Sequence, residues 1–142
     1  MTFDPSFLAD TVFKYGGVRR PWIGDKSDPL FKQYGYNTGI DIYCYSVYSY
    51  ANGVVLAVGQ DPDGYYSVTV QYDANSCLRY THLLSPDVTA GDIVQAGFVI
   101  GAVHKYFRFE YVTKEQGTSL WPVRVGTETY YKQNPVKMFG VD

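Results

Sequence analysis

The chain alternates between apolar and polar positions with the short period of a sheet protein. Tyr66, Val68, Val70 and Tyr72 are interleaved with Ser67, Thr69 and Gln71, a period of two that sends one set of side chains to one face of a strand. Gly53-Val54-Val55-Leu56-Ala57-Val58-Gly59 is an apolar run closed by glycines, the pattern of a buried strand. Residues 40–45, 106–112 and 120–125 read as further strands. Asp61-Pro62-Asp63-Gly64 and Asp73-Ala74-Asn75-Ser76 are turn sequences, so the strands on either side of the second pair as a hairpin, with Leu78, Tyr80 and His82 expected on one face. Gly16-Gly17-Val18-Arg19-Arg20-Pro21-Trp22-Ile23-Gly24 is dense in glycine and proline and predicts turns, not a regular element. Pro5-Ser6-Phe7-Leu8-Ala9-Asp10 predicts one helical turn that docks the N-terminus. The expectation is a single domain over 1–142, with a docking segment at 1–14 and a β domain at 15–142. Its class is mostly β, a twisted antiparallel sheet.

Composition narrows the function classes. A formal net charge of −2 and a pI near 5.6 make no electrostatic case for nucleic acid or an anionic membrane. The first residues lack the basic start and apolar run of a signal peptide, so the expectation is synthesis in the cytoplasm. No apolar run approaches the roughly 18 residues of a membrane span, so no membrane insertion is expected. Two cysteines, Cys44 and Cys77, are too few for a disulfide framework or a zinc ribbon and read as buried, reduced thiols. The unusual figure is 15 tyrosines, six of which (Tyr34, Tyr36, Tyr43, Tyr45, Tyr48 and Tyr50) crowd one stretch. Tyrosine favours both strands and wet interfaces, so these six are either strand residues or a binding face for a protein partner or a glycan.

Three motifs carry the chemistry: Asn37-Thr38-Gly39-Ile40-Asp41, Tyr80-Thr81-His82-Leu83 and Tyr106-Phe107-Arg108-Phe109-Glu110. In order and spacing they resemble the active-site motifs of the lysostaphin-like (LytM-like) zinc endopeptidases, which cut peptidoglycan cross-links. Gly91-Asp92-Ile93-Val94-Gln95-Ala96-Gly97-Phe98-Val99-Ile100-Gly101 resembles the tight turn unit of the same duplicated-hybrid-motif architecture, shared with biotinyl and lipoyl carriers and sugar phosphocarriers. Asn134-Pro135-Val136-Lys137-Met138-Phe139 is similar to the family's closing segment.

The resemblance implies zinc held by His, Asp and His, with further histidines assisting. Asp41 matches the carboxylate ligand and His82 an assisting histidine. Asn37 stands at the first histidine ligand, and an amide oxygen is a poor zinc ligand. Arg108 stands at the second, and a protonated guanidinium has no lone pair to give. Tyr106 replaces the other assisting histidine. The chain holds two histidines in all, and the second, His104, falls in a short linker before the last motif. The expectation is no zinc and no catalytic residues at Asn37, Asp41, His82, Tyr106 and Arg108, with Arg108 and Asp41 forming an ion pair that Tyr106 and Asn37 complete by hydrogen bonds. The implied role is a structural or binding module, as in a phage or prophage tail, with virion tail proteins, further copies of the chain or peptidoglycan as partners. Two alternatives stay open: an active zinc endopeptidase with ligands rearranged among His82, His104, Asp41 and Glu110, and a peptidoglycan- or glycan-binding module. The Lys137-Met138 pair resembles a biotin acceptor but lies outside a hairpin, and His82 and His104 lack a phosphocarrier's flanking sequence.

Overall fold

The computed structural model describes residues 17–136. The expected docking segment at 1–14 and the Lys137-Met138 pair lie outside the described residues. Strand β10 (Tyr106–Thr113) is the axis of the main sheet. One edge of β10 pairs with β6 (Ser76–Leu83). Its other edge is shared: β2 (Ile40–Tyr43) takes residues 106–109, and β12 (Glu128–Gln133) takes residues 111–113. Beyond β2 lies β1 (Val18–Arg20); beyond β6 lie β5 (Tyr66–Asp73), β4 (Gly53–Gln60) and β8 (Ile93–Val94); beyond β12 lies β11 (Pro122–Val125). A second, three-stranded sheet joins β3 (Ser46–Tyr48), β9 (Val99–Ala102) and β7 (Ser85–Pro86). Every pairing is antiparallel, so the class is the mostly antiparallel β architecture expected. Among the described residues the one α-helix, α1 (Phe31–Tyr34), lies in the loop between β1 and β2.

Alternation along β10 divides the molecule. Phe107 and Phe109 are fully buried in the main core with Ile40, Ile42, Val68, Val70, Leu78 and Tyr80, and the small sheet adds Val47 and Ile100 to the same core. Each such side chain contributes roughly 1.5–3 kcal/mol by leaving water. The opposite face of β10 carries Tyr106, Arg108 and Glu110. Further along that face Val112 and Cys77 are roofed by the β11–β12 hairpin through Val125 and Tyr130, a small second core. Next to this roof the first half of the strand lines a cleft that Val123 and Lys132 of the hairpin also border.

Three expectations change. The segment read as turns contains β1, a short edge strand that exists by pairing with β2, not by any apolar pattern of its own. The strand at 40–45 ends at Tyr43 and resumes as β3 in the other sheet. His82 does not share a face with Leu78 and Tyr80. Between the pairs Val68–Tyr80 and Tyr66–Leu83, Thr81 and His82 together stand opposite Ser67, which is a β-bulge. His82 adopts a left-handed φ of 69° there. The bulge returns Leu83 to the core, fully buried, and turns His82 into the cleft beside Thr81.

Candidate functional site

Asp41 on β2 and Arg108 on β10 are direct cross-strand partners, so their side chains leave the sheet on one face within reach of each other. The backbones approach closely because residue 39 is glycine: a Cβ there would lie 2.7 Å from the Phe109 carbonyl oxygen and 2.8 Å from Arg108 Cγ. Arg108 Nε donates to Asp41 Oδ1 at 2.8 Å, and Nη2 lies 3.5 Å from Oδ2. The expected ion pair is therefore present. It is joined by a partner the motifs did not suggest, Arg19, whose Nη1 donates to Asp41 Oδ2 at 3.2 Å. Arg19 lies where the β1–β2 register shifts. The Asp41 side chain is 0% exposed, while each arginine keeps about a third of its surface in water, 35%.

A second buried carboxylate lies two residues along β10. Glu110 accepts from Arg79 and from Lys132 Nζ, the latter at 2.9 Å. Lys132 also donates to Thr38 Oγ1 at 3.3 Å, which ties β12 to the loop before β2. The floor thus sets four cations against two carboxylates. Asp61 and Asp63, from the β4–β5 turn, line the opposite wall of this cleft of about 460 Å³.

Aromatic rings close the remaining side. His82 stacks on Tyr65 at 3.9 Å and on Tyr106 at 4.4 Å between ring centroids, and the Arg19 guanidinium lies 4.4 Å from the Tyr106 ring centre. A guanidinium at that distance is held by the ring's electron-rich face. Burial lowers the pKa of His82, and Arg108 and Arg19 push in the same direction against Asp63 and Asp41. For Arg108, burial opposes the charged form, but the hydrogen bond and charge of Asp41 outweigh it and raise the pKa.

The residues at the positions that the resemblance assigns to the zinc ligands do not fit the metal. Both oxygens of Asp41 are taken by guanidinium groups. Asn37, buried, turns its Nδ2 to the carbonyls of Pro21 at 3.0 Å and Arg20 at 3.3 Å, not to the ion pair. Its Oδ1 has no donor among the described residues, the one feature of that position that would welcome a cation, but a single neutral amide oxygen binds zinc poorly. Tyr106 joins the cluster by stacking, so the expected hydrogen bonds from Asn37 and Tyr106 to the pair are replaced by these other contacts. His104 is exposed and outside the cleft, and Glu110 is held by Arg79 and Lys132. Among the described residues no group of three or more His, Cys, Asp or Glu side chains is arranged to hold a metal.

The sequence profile of peptidase family M23 matches residues 35–117, more than half of the chain. The chain belongs to peptidase family M23. No curated protein sequence matches it. Among solved structures this M23 domain is similar to lysostaphin, with a TM-score of 0.61 and 20% identity over 89% of this chain and 50% of the other. The chain thus spans half the length of lysostaphin. The isolated catalytic domain of lysostaphin from Staphylococcus simulans is matched over 99% of this chain and 100% of that one, at 18% identity and a TM-score of 0.58. A chain of the SpoIIQ–SpoIIIAH pore-forming complex gives a TM-score of 0.63 at 19% identity, over 85% and 82% of the two chains. The catalytic domain of EnpA, a prophage-encoded M23 protein of Enterococcus faecalis, gives 0.55 at 20%, over 68% and 79%.

Within the M23 domain the structure brings His82, Tyr106 and Arg108 to one cleft, with Asp41 buried against Arg108 and Asn37 buried against Arg20 and Pro21. The tyrosine cluster divides. Tyr34, Tyr36 and Tyr45 are exposed, Tyr45 to 77%; Tyr43, Tyr48 and Tyr50 are half-buried, and the backbone N–H of Tyr50 donates to the hydroxyl of buried Tyr80. Sequence reasoning missed Arg19, Tyr65, Arg79 and Lys132. Arg19 had a signal, a basic pair two residues beyond a double glycine; Lys132 had none, because residues 128–133 show no alternation. Both cysteines are buried and free, and burial pushes the Cys44 thiol up to about 12. Among the described residues no helix is long and apolar enough to cross a membrane.

Proposed function

We propose that this M23 domain is a structural or binding module that acts at peptidoglycan without zinc and without hydrolysis. The observation that carries the reading is the saturation of Asp41 by Arg108 and Arg19: where the family's chemistry calls for a divalent cation, two side-chain cations hold the carboxylate. A guanidinium replaces the metal's charge and keeps the strands in register, but it supplies neither an open coordination position nor an acidified water. The setting we infer is a phage or prophage tail, with tail proteins or further copies of the chain as partners through the exposed tyrosines Tyr34, Tyr36 and Tyr45. Support comes from the prophage origin of EnpA and from the occurrence of this fold in a pore-forming complex.

The test uses protein purified without chelator. Elemental analysis gives well under one zinc per chain, the protein sediments with purified sacculi, and no soluble fragment is released with or without added zinc. A stoichiometric metal together with release that chelator abolishes and zinc restores would overturn the reading in favour of a peptidase with rearranged ligands.

A further inference from the structure

On the far side of Lys132 from the Asp41 cleft lies a second cavity, of about 600 Å³, between the β1–β2 loop and the segment leading into β11. Both tryptophans of the chain, Trp22 and Trp121, line it, together with Tyr36. The walls are held in place. The Trp22 indole lies flat on the backbone of Gly24, where a Cβ would come within 2.7 Å of Cζ2 and Nε1. Trp121 meets Tyr36 edge to face at 4.9 Å, and Tyr36 meets Phe31 in the same way at 4.6 Å. The backbone N–H of Trp121 donates to Ser119 Oγ at 3.2 Å, and that hydroxyl donates to the Lys132 carbonyl at 2.6 Å, which pins the second loop to β12.

The polar lining carries both signs of charge and is mixed in hydrogen-bonding sense. Asp25 and Asp28 supply two carboxylates and Lys26 one ammonium group, while the Lys132 ammonium is held by Glu110 on the other side. Each carboxylate spends Oδ1 on a backbone N–H of its own loop, from Ser27 and Leu30 at 2.9 Å, and is oriented by it. Hydrogen bonds from Ser27 also lower the pKa of Asp25. Such a cavity offers an anion no net attraction. It suits a neutral ligand with an apolar face for the rings and a rim of hydroxyl groups that both donate and accept. A pyranose sugar has this chemistry. The volume falls within the roughly 300–1,000 Å³ of small-ligand sites, and an aromatic wall with a few oriented polar groups is their usual composition.

We propose that the cavity between Trp22, Tyr36 and Trp121 is a carbohydrate subsite that binds a short stretch of a glycan strand. This deepens the peptidoglycan-binding reading above and rests on it for the identity of the glycan, but the site is separate from the Asp41 cleft. The experiment is a titration of the whole chain with the trisaccharide of N-acetylglucosamine, followed through the two indole N–H signals in the proton–nitrogen NMR spectrum. Both signals shift saturably, and in Trp121→Ala the affinity read from the Trp22 signal falls by at least about tenfold, as expected of an aromatic anchor. If Trp121→Ala does not fold, Asp25→Asn, on an exposed loop, gives the same reading with a smaller loss. Indole signals that stay put at millimolar sugar, or an affinity unchanged in both variants, overturn the proposal. Sacculus binding without any trisaccharide shift sinks the sugar site and leaves the wall-binding reading standing. Trisaccharide binding by a protein that also shows zinc-dependent hydrolysis does the reverse.

Discussion

Asp41 and Arg108 stand opposite each other on adjacent strands and meet through Arg108 Nε and Asp41 Oδ1 at 2.8 Å, with the carboxylate fully buried. A buried carboxylate is costly unless its charge and lone pairs are satisfied. Here one guanidinium does part of this from the neighbouring strand and Arg19 does the rest from the sheet edge.

Removing the two arginines therefore has unequal single and joint effects. Arg108→Ala leaves Asp41 with Arg19 and costs about 1–3 kcal/mol, the price of one charged hydrogen bond. Arg19→Ala with Arg108→Ala strands the carboxylate and costs about 3–5 kcal/mol. Urea denaturation of these two variants, Arg19→Ala and the wild type measures this. A double variant as stable as the wild type would mean that water serves Asp41 as well as the arginines do.

Rebuilding a metal site requires more than the two ligand positions. With Asn37→His and Arg108→His alone, Arg19 still holds Asp41, and zinc affinity by calorimetry stays weak. Adding Arg19→Ala frees the carboxylate and strengthens it. Equal affinity in the double and triple variants would show that Arg19 yields to the metal. Hydrolysis is not expected in either, because Tyr106 still stands where the family has an assisting histidine.

Gly39→Ala places a methyl group against the Phe109 carbonyl and Arg108 Cγ. Backbone on one side and a paired side chain on the other cannot both give way, so β2 is pushed off β10, at about 1–3 kcal/mol. The thermal midpoint falls and Arg108 Nε loses its downfield proton signal. An unchanged midpoint would mean that the strands have slack the structure does not show.

His82 contributes a pH dependence of known sign. Its pKa is lowered from the ordinary 6.5, by burial first and then by the nearby arginines, so the unfolded chain binds its proton more readily than the folded one. The associated stability is present above about pH 6.5 and is lost as pH falls from there through the folded-state pKa. Against His82→Asn, which tolerates the left-handed backbone, the wild type loses thermal stability on going from neutral pH to mildly acidic pH. A difference between the two proteins that stays constant across that range would remove burial of the imidazole as its cause.

The sequence alone determined the class of fold, the hairpin of β5 and β6, the glycine-framed turn unit and which residues stand at positions 37, 41, 82, 106 and 108 of the three motifs. These are local matters: period two, turn chemistry and the identity of the residue at a ligand position need no knowledge of what packs where. It also determined that Arg108 and Asp41 would meet, because a shared motif carries the geometry with it. The tertiary structure alone decided who else meets them. Arg19, Lys132 and Arg79 reach the cleft from strands distant in sequence, and no periodicity announces a long polar side chain's destination. His82 shows the reason most directly. Alternation assigns it to the core face, but an extra residue opposite Ser67 and a left-handed φ turn it into the cleft. A bulge is set by how two strands must register for Leu83 to be buried, and that is a property of the pair, not of either strand.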